Sequence, residues 1–288
     1  MDRTEVSKRE VREKIIQILQ GLHVPRKDAE ITADVIMDAE LSGMESHGLT
    51  RLKLYTDRLA CGVVEADPLI RIERNGAVAT ADGGNGLGQV VMRRATEEAV
   101  DLAKTFGIGA VTVRHSNHFG TAGYYANLMA RAGCIGFAAS MAGPTMAPYG
   151  GLDLILGTNP LSVAFPGETQ GFFCDMATRA AAKGKLHIYE KTGRQLPPGW
   201  AMDADGNDTT DPGEALKGIL LPLGGHKGYA LAMAVDAVSA LLSGACLSCE
   251  SASVTSTKMA NTGHFAVAVD IAHFLPEEEF KARAQAWF

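Results

Sequence analysis

Between residues 69 and 140, short apolar runs alternate with longer stretches of helical periodicity, and this alternation restricts the chain to a sheet with helices laid on it. Leu69 to Glu73 and Ala77 to Ala81 flank Asn75-Gly76, a strong hairpin signal, so the region opens on two antiparallel strands. A helix over Val90 to Lys104, a strand over Ile108 to Val113, a helix over Ala122 to Ala132 and a strand over Ile135 to Ser140 follow. Leu161 to Phe165 and Phe172 to Met176 read as further strands, and His264 to Ile271 as a late strand before a helix that starts after Pro276. The fold class expected is α/β.

Ahead of the hairpin the periodicity is helical. Ser7 and Glu10 make a capping box for a helix running to Gln20, a second helix spans Pro25 to Ser42-Gly43, and a third ends near Gly62. The expected organisation is a helical region over 1–66, an α/β region over 67–263 and a C-terminal strand and helix over 264–288, with no repeat and no linker.

Charge and composition narrow the function. A net charge of −6 with scattered Lys and Arg leaves no footprint for nucleic acid. The start Met1-Asp2-Arg3-Thr4-Glu5 lacks the apolar core of a secretory signal, which points to a cytoplasmic protein. The apolar stretch Gly228 to Ala245 carries Asp236 and reads as a buried helix, not a membrane span. The five cysteines form no even framework and suit free thiols; Cys246 and Cys249 make a lone C-x-x-C without a second pair, and receive no function.

Three motifs fail on inspection. Gly83-Gly84-Asn85-Gly86-Leu87-Gly88 lacks the last glycine of a dinucleotide fingerprint and follows a hairpin strand, so it reads as a flexible turn. Gly224-Gly225-His226-Lys227-Gly228 has glycine where a phosphate loop needs Ser or Thr. Asp203-Ala204-Asp205-Gly206-Asn207 departs from a calcium loop and reads as a solvated turn.

Three polar segments remain. In Ser46-His47-Gly48 with Arg51, an imidazole and a guanidinium lie about one helical turn apart, a pair suited to a carboxylate substrate: Arg grips the carboxylate while His exchanges a proton with the neighbouring oxygen. The simpler reading makes Ser46 a helix cap and His47 a surface residue. Arg114-His115-Ser116-Asn117-His118-Phe119-Gly120 lies between strand and helix, where side chains line clefts, and His115 with His118 could also hold a metal. Gly157-Thr158-Asn159-Pro160 and Asp175-Met176-Ala177-Thr178 end apolar strands, with Asp175 a candidate to orient a histidine and turn formation the alternative.

Together these segments, with Pro148-Tyr149-Gly150-Gly151, Thr209-Thr210-Asp211-Pro212 and Leu221 to Tyr229, resemble the malate/L-lactate dehydrogenase-like family in order along nearly the whole chain. The resemblance implies a non-Rossmann NAD(P)-binding α/β fold, a mixed sheet flanked by helices with an N-terminal helical region. It also implies a homodimer, and hydride transfer between NAD or NADP and C2 of a small 2-hydroxy or 2-oxo acid. His118 matches the proton acceptor; Ser46, His47 and Asp175 match a proposed relay; Arg51 matches the contact to the substrate carboxylate. Asp175, Met176, Ala177, Lys227 and Gly228 match cofactor-binding positions, and Asn159 and Pro160 shape the same cleft. Which of His47 and His118 takes the proton, which acid is used and which nicotinamide is preferred stay open.

Three departures accompany the match. Ala260 stands where relatives often carry arginine before Asn261-Thr262-Gly263, Arg179 replaces a small residue, and relatives continue beyond the position of Phe288. Two other readings therefore stand beside the dehydrogenase: a metal-dependent hydrolase or lyase built on His115, His118 and Asp175, and an inactive dimeric paralogue that binds cofactor without turnover.

Overall fold

The computed structural model describes residues 6–252, 256 and 258–288; Met1 to Glu5, on which the reading of a cytoplasmic chain leans, lie outside the described residues. Helices α1 (Lys8–Gln20), α2 (Arg26–Leu41) and α3 (Leu52–Ala60) form where the periodicity places them. The Ser7 backbone N–H donates to Glu10 Oε2 at 3.4 Å, one half of the expected box. Ile15, Ile16, Leu19, Ala33, Ile36, Tyr55 and Leu59 bury against one another and against Leu87 and Val90, so the helical region shares a core with the α/β region.

The main sheet begins with β1 (Arg71–Asn75) and β2 (Val78–Asp82). Asn75 pairs with Val78, so the two-residue connection is Gly76-Ala77, one position later than the motif suggests. Then come α4 (Gly88–Phe106), β3 (Ile108–Ser116), α5 (Ala122–Arg131), β4 (Cys134–Ser140), β5 (Leu161–Phe165) and β6 (Phe172–Met176), the last two at the expected bounds. A smaller unit comes next: α6 (Lys183–Lys191), β7 (Ala201–Met202), β8 (Asp208–Thr209), α7 (Pro212–Lys217) and β9 (Ile219–Leu220). The chain ends with α8 (His226–Asp236), β10 (Thr262–Asp270) and α9 (Glu277–Trp287).

The seven-stranded sheet runs β1-β2-β3-β10-β4-β5-β6, mixed because β2 and β3 are parallel while the other neighbours are antiparallel. The late strand β10 thus stands between β3 and β4 at the sheet's centre. Its alanines Ala266 and Ala268, with Ala79, Ala81, Val111, Val113 and Ala138, meet Val91, Met92, Ala95 and Ala99 of α4 and Tyr125, Ala126 and Met129 of α5. Small strand residues let both helices sit close, and the larger helix side chains supply the apolar area removed from water.

No periodicity in the sequence foreshadows the small three-stranded sheet β8-β7-β9 or its cluster around Leu186, Leu196 and Leu220. The Asp203 turn joins β7 to β8, with Asp203 Oδ1 accepting from Asp205 and Asn207 N–H at 2.9 Å each, a solvated turn as expected. The apolar run from Gly228 is interrupted: α8 ends at Asp236 and passes into a π-helical turn, Ala237–Leu241. Among the described residues no helix is long and apolar enough to cross a membrane. All five cysteines are free, and burial pushes the Cys134 thiol up to about 11.

The glycine run 83–88 is a packing seat, not a loose turn. Gly88 opens α4 against the backbone of Asn117 and His118, and a Cβ there would overlap Asn117 O and the His118 carbonyl. We expect Gly88→Ala to cost roughly 1–3 kcal/mol or more, read as a lowered denaturation midpoint with the 116–120 loop displaced.

Inside the sheet, His264 is fully buried and bridges two serines, with Nδ1 at 2.8 Å from Ser140 Oγ and Nε2 at 2.9 Å from Ser116 Oγ. Ser140 spends its proton on Met141 O at 2.8 Å, so the imidazole carries hydrogen on Nδ1 and accepts from Ser116 at Nε2. Burial lowers this histidine to about 3 from 6.5, so it stays neutral in the folded chain while the unfolded chain takes up a proton. Stability conferred by the neutral ring is complete above pH 6.5 and is lost as pH falls from there toward 3, at about 1.4 kcal/mol per unit for one proton. Urea midpoints measured between pH 7 and 4 should fall steeply for the natural protein and less steeply for His264→Gln, which is weaker at neutral pH but has one proton fewer to take up.

Candidate active site

The β3–α5 loop is held at nearly every residue. Ser116 meets His264, and Phe119 stacks on the His264 ring at 4.7 Å with planes 6° apart. Asn117 Nδ2 donates to Asn85 O at 3.1 Å and Gly86 O at 2.8 Å, while its Oδ1 accepts from Arg58 at 3.1 Å. Arg58 also donates to the carbonyls of Ser256 and Lys258, so this buried cation ties the loop to the entry of β10. The residue so presented is His118. Its Nδ1 lies 2.8 Å from the Tyr55 hydroxyl and accepts the Gly120 backbone N–H at 3.3 Å. A backbone N–H only donates, so Nδ1 holds the lone pair and the neutral ring carries its hydrogen on Nε2.

Ser46, His47 and Arg51 come to the same place from the turn before α3. The His47 ring stacks on His118 with centroids 5.6 Å apart and planes at 28°. Ser46 Oγ lies 2.9 Å from His47 Nδ1, and Arg51 Nε donates to the Ser46 carbonyl at 2.6 Å. Ser46 is not a helix cap: Glu40 Oε2 takes the Leu49 N–H at 2.9 Å and secures the 3₁₀ turn Leu49–Arg51. Nor is His47 a surface residue, since it is half-buried in the stack. Among the described residues the terminal amino groups of Arg51 make no hydrogen bond, leaving its bidentate edge available.

Electrostatics here favour neutral rings beside a fixed cation. Burial, reinforced by Arg51, lowers His47 to about 4. Burial holds His118 well below 6.5, with His47, Arg51, His264 and Arg58 adding to the effect.

The other expected positions fall on the strand ends and α8. Asp175 Oδ2 accepts the Gly123 N–H at 2.9 Å at the start of α5; burial raises its pKa and that bond opposes the rise. Among the described residues no hydrogen bond joins Asp175 to Ser46, His47 or His118. Asn159 is fully buried as a brace: Oδ1 accepts from Ala142 N–H at 3.0 Å and Ser248 Oγ at 3.2 Å, and Nδ2 donates to Ala232 O at 2.9 Å and Asp236 Oδ1 at 3.1 Å. The Pro160 carbonyl accepts the Ser140 N–H at 3.1 Å. Met176 ends β6 half-buried, Ala177 follows exposed, Lys227 is exposed in the first turn of α8, and Gly228 is buried under the Leu223 carbonyl.

Arg179 is positioned by its backbone: Leu223 N–H donates to Thr178 O at 2.9 Å, which sets Arg179 beside the segment entering α8. Its Nε is buried without a hydrogen-bond acceptor, and burial lowers its pKa. Ala260 is buried, so no cation stands at that position.

His115 turns away to different partners. Its Nδ1 lies 2.9 Å from Asp82 Oδ2, its N–H donates to Asn261 Oδ1 at 2.8 Å, and it lines a cavity of about 360 Å³ with Glu65, Asn85, Met259 and Asn261. His115, His118 and Asp175 therefore serve three separate sets of contacts, and among the described residues no group of three His, Cys, Asp or Glu could hold a metal ion. Sequence reasoning missed Tyr55, Arg58, Gln89 and His264, all of which surround or support His118; only the polar character of Arg58, Gln89 and His264 within apolar periodicity signals them.

Comparison with known proteins shows what the chain as a whole is similar to. The family model described as malate/L-lactate dehydrogenase matches residues 6–288. A malate dehydrogenase of Pyrococcus horikoshii is 45% identical over 278 residues, 93% of this chain and 77% of that protein. A (2R)-3-sulfolactate dehydrogenase (NADP(+)) of Chromohalobacter salexigens is 37% identical over 272 residues, 93% of this chain and 82% of that protein. The solved sulfolactate dehydrogenase of Methanocaldococcus jannaschii superposes with a TM-score of 0.95 at 40% identity, covering 98% of this chain and 82% of that one. By sequence and by fold, this chain belongs to the malate/L-lactate dehydrogenase family, dehydrogenases of 2-hydroxy acids.

Proposed function

We propose that this protein interconverts a small 2-hydroxy acid of the malate or L-lactate type and its 2-oxo acid with NAD or NADP, and that His118 carries the proton. One observation carries the reading: a neutral, buried imidazole held at Nδ1 from behind, its Nε2 unbonded among the described residues, stacked on a second neutral imidazole and next to the uncommitted edge of Arg51. Arg51 binds the substrate carboxylate, which sets the C2 oxygen within reach of His118. In oxidation the imidazole takes the hydroxyl proton, and in reduction it returns it. His47, fixed by Ser46, walls the site and excludes water.

The residues present suit a phosphate-bearing nicotinamide. Among the described residues Arg179 and Lys227 have no carboxylate partner, Arg179 Nε and Thr145 Oγ1 are buried without one of any kind, and Gly225 turns at φ +66 to start α8. Met176, Ala177, Lys227, Gly228 and the backbone beside Asp175 would hold the cofactor, with Asn159 and Pro160 fixing the walls. When bound, the nicotinamide supplies the hydride donor or acceptor for C2.

Assembly as a cytoplasmic homodimer belongs to the same proposal. Met233, Leu241 and Leu242 are 46%, 66% and 64% exposed along α8 and the π turn, an apolar surface that suits a partner copy. Sedimentation should then show a species of twice the 30.4 kDa chain mass, and a monomer at micromolar concentration would remove the dimer from the reading.

Offered NADH or NADPH with pyruvate, oxaloacetate and sulfopyruvate, the protein should oxidise one cofactor with chelator present. His118→Asn should lower kcat by about 10²–10⁴-fold with cofactor affinity retained. Arg51→Gln should weaken acid binding by about ten- to hundred-fold. Because oxidation needs neutral His118, held below 6.5, its acid limb should lie below pH 6.5. Cofactor binding without turnover would favour the inactive paralogue.

A further inference from the structure

Behind His118 lies a fully buried amide with no hydrogen bond. Gln89, in the first turn of α4, is 0% exposed, and neither its Oε1 nor its Nε2 has a partner. A buried amide left open on both ends is costly, and such groups are retained where something uses them. The adjoining polar group is the Tyr55 hydroxyl, whose ionisation Gln89 favours; yet no bond of good geometry joins the two, so the amide lies beside the hydroxyl without engaging it here.

We propose that Tyr55 and Gln89 are a two-way positioning pair that sets which nitrogen of His118 carries the hydrogen. The proposal rests on His118 as the proton carrier and adds how one ring serves both directions. With Gly120 N–H on Nδ1, the ring rests with its hydrogen on Nε2, the Tyr55 hydroxyl donating to Nδ1 at 2.8 Å and its oxygen able to accept from Gln89 Nε2. A ring in that state cannot take a proton at Nε2. The working state needs hydrogen on Nδ1, which releases the long Gly120 N–H bond, with the Tyr55 oxygen accepting that hydrogen and the Tyr55 O–H turned to Gln89 Oε1. An amide carries both donor hydrogens and an acceptor oxygen, so Gln89 satisfies the tyrosine in both states; a carboxylate or a hydrocarbon satisfies only one or neither.

Protons balance without ionising the tyrosine. In reduction the imidazolium carries hydrogens on both nitrogens, gives the one on Nε2 to the oxygen on C2, and keeps the other on Nδ1, bonded to Tyr55. In oxidation the hydroxyl proton returns to Nε2. Tyr55 transfers nothing; burial raises its pKa well above 10, which suits a hydroxyl that reorients and does not ionise.

The groups facing His118 are His47, Arg51, Tyr55, Arg58 and His264, and all stay unchanged in two Gln89 variants. Gln89→Leu removes the acceptor for the Tyr55 O–H and should move the acid limb of the oxidation profile to lower pH by about one unit. Gln89→Glu, once ionised, holds the Tyr55 O–H permanently and should move it up by about as much. Tyr55→Phe should lower kcat in both directions by about ten- to hundred-fold, with KM for the acid nearly unchanged. Nitrogen-15 histidine spectra of the cofactor-free protein should show His118 hydrogenated at Nε2 and titrating in the same opposite senses in the two Gln89 variants. Limbs and titrations that move in one sense, or Tyr55→Phe keeping kcat within about twofold, overturn the pair. Should Tyr55→Phe fail to fold, the Gln89 variants decide alone. Full activity in His118→Asn instead removes the reading beneath it.

Discussion

β10 is bonded on both edges, to β3 on one side and β4 on the other, and its His264 links a serine from each neighbour through a single ring. Without that strand the sheet is two halves: β1-β2-β3 beneath α4, and β4-β5-β6 beneath α5. Each ladder bond contributes only about 1 kcal/mol net, but losing a buried partner costs more, because the orphaned group stays desolvated. The bridge sits at the floor of the active site, since Ser116 and Phe119 begin and follow the residues that present His118. Sheet closure and loop shape are therefore one event.

The site accepts an electrostatic cost. Two imidazoles are kept neutral by burial next to Arg51, a cation whose only bond among the described residues is to a carbonyl. Nearby, Arg58 is buried against carbonyls and an amide. Arg51, which has no carboxylate bonded to it among the described residues, is unfavourable beside the buried rings until an anionic acid arrives, so binding strength and proton affinity at His118 rise together. Asp175 lies outside this arrangement, its carboxylate turned to the start of α5, where the Gly123 N–H accommodates it.

Much of the frame was legible because local chemistry and global fold agree. β5 and β6 are bounded by Pro160, Pro166 and Gly171, which neither propagate strands nor permit slippage, and the sheet helices show sustained apolar periodicity. The β7–β9 unit was invisible: two-residue strands carry no period, and their cluster depends on Leu186, Leu196 and Leu220, distant in sequence. Glycines 83–88 read as loose because spacing does not reveal that Gly88 touches the Asn117 backbone. Ser46, His47, Arg51 and His118 stand out as polar outliers, whereas nothing local marks the aromatic Tyr55 on α3, and Gln89 shows only as a polar residue within the apolar periodicity of α4. Asn159 was assigned to a cleft wall, and nothing local announces its four bonds.

The placement of β10 also orders events in time. His264 and Ser140 are 124 residues apart, so the contact that completes the sheet closes a long loop, and loop closure is what makes such topologies slow. A chain emerging from the ribosome exposes the facing edges of β3 and β4 long before the strand that fills the slot exists, and open edges recruit foreign strands. The loop bearing His118 gains the His264 ring, which bonds Ser116 and stacks on Phe119, only when that strand arrives. Binding competence thus follows late in synthesis: an incomplete chain can collapse around α4 and α5, but it lacks the ring on which Ser116 and Phe119 seat the loop of His118.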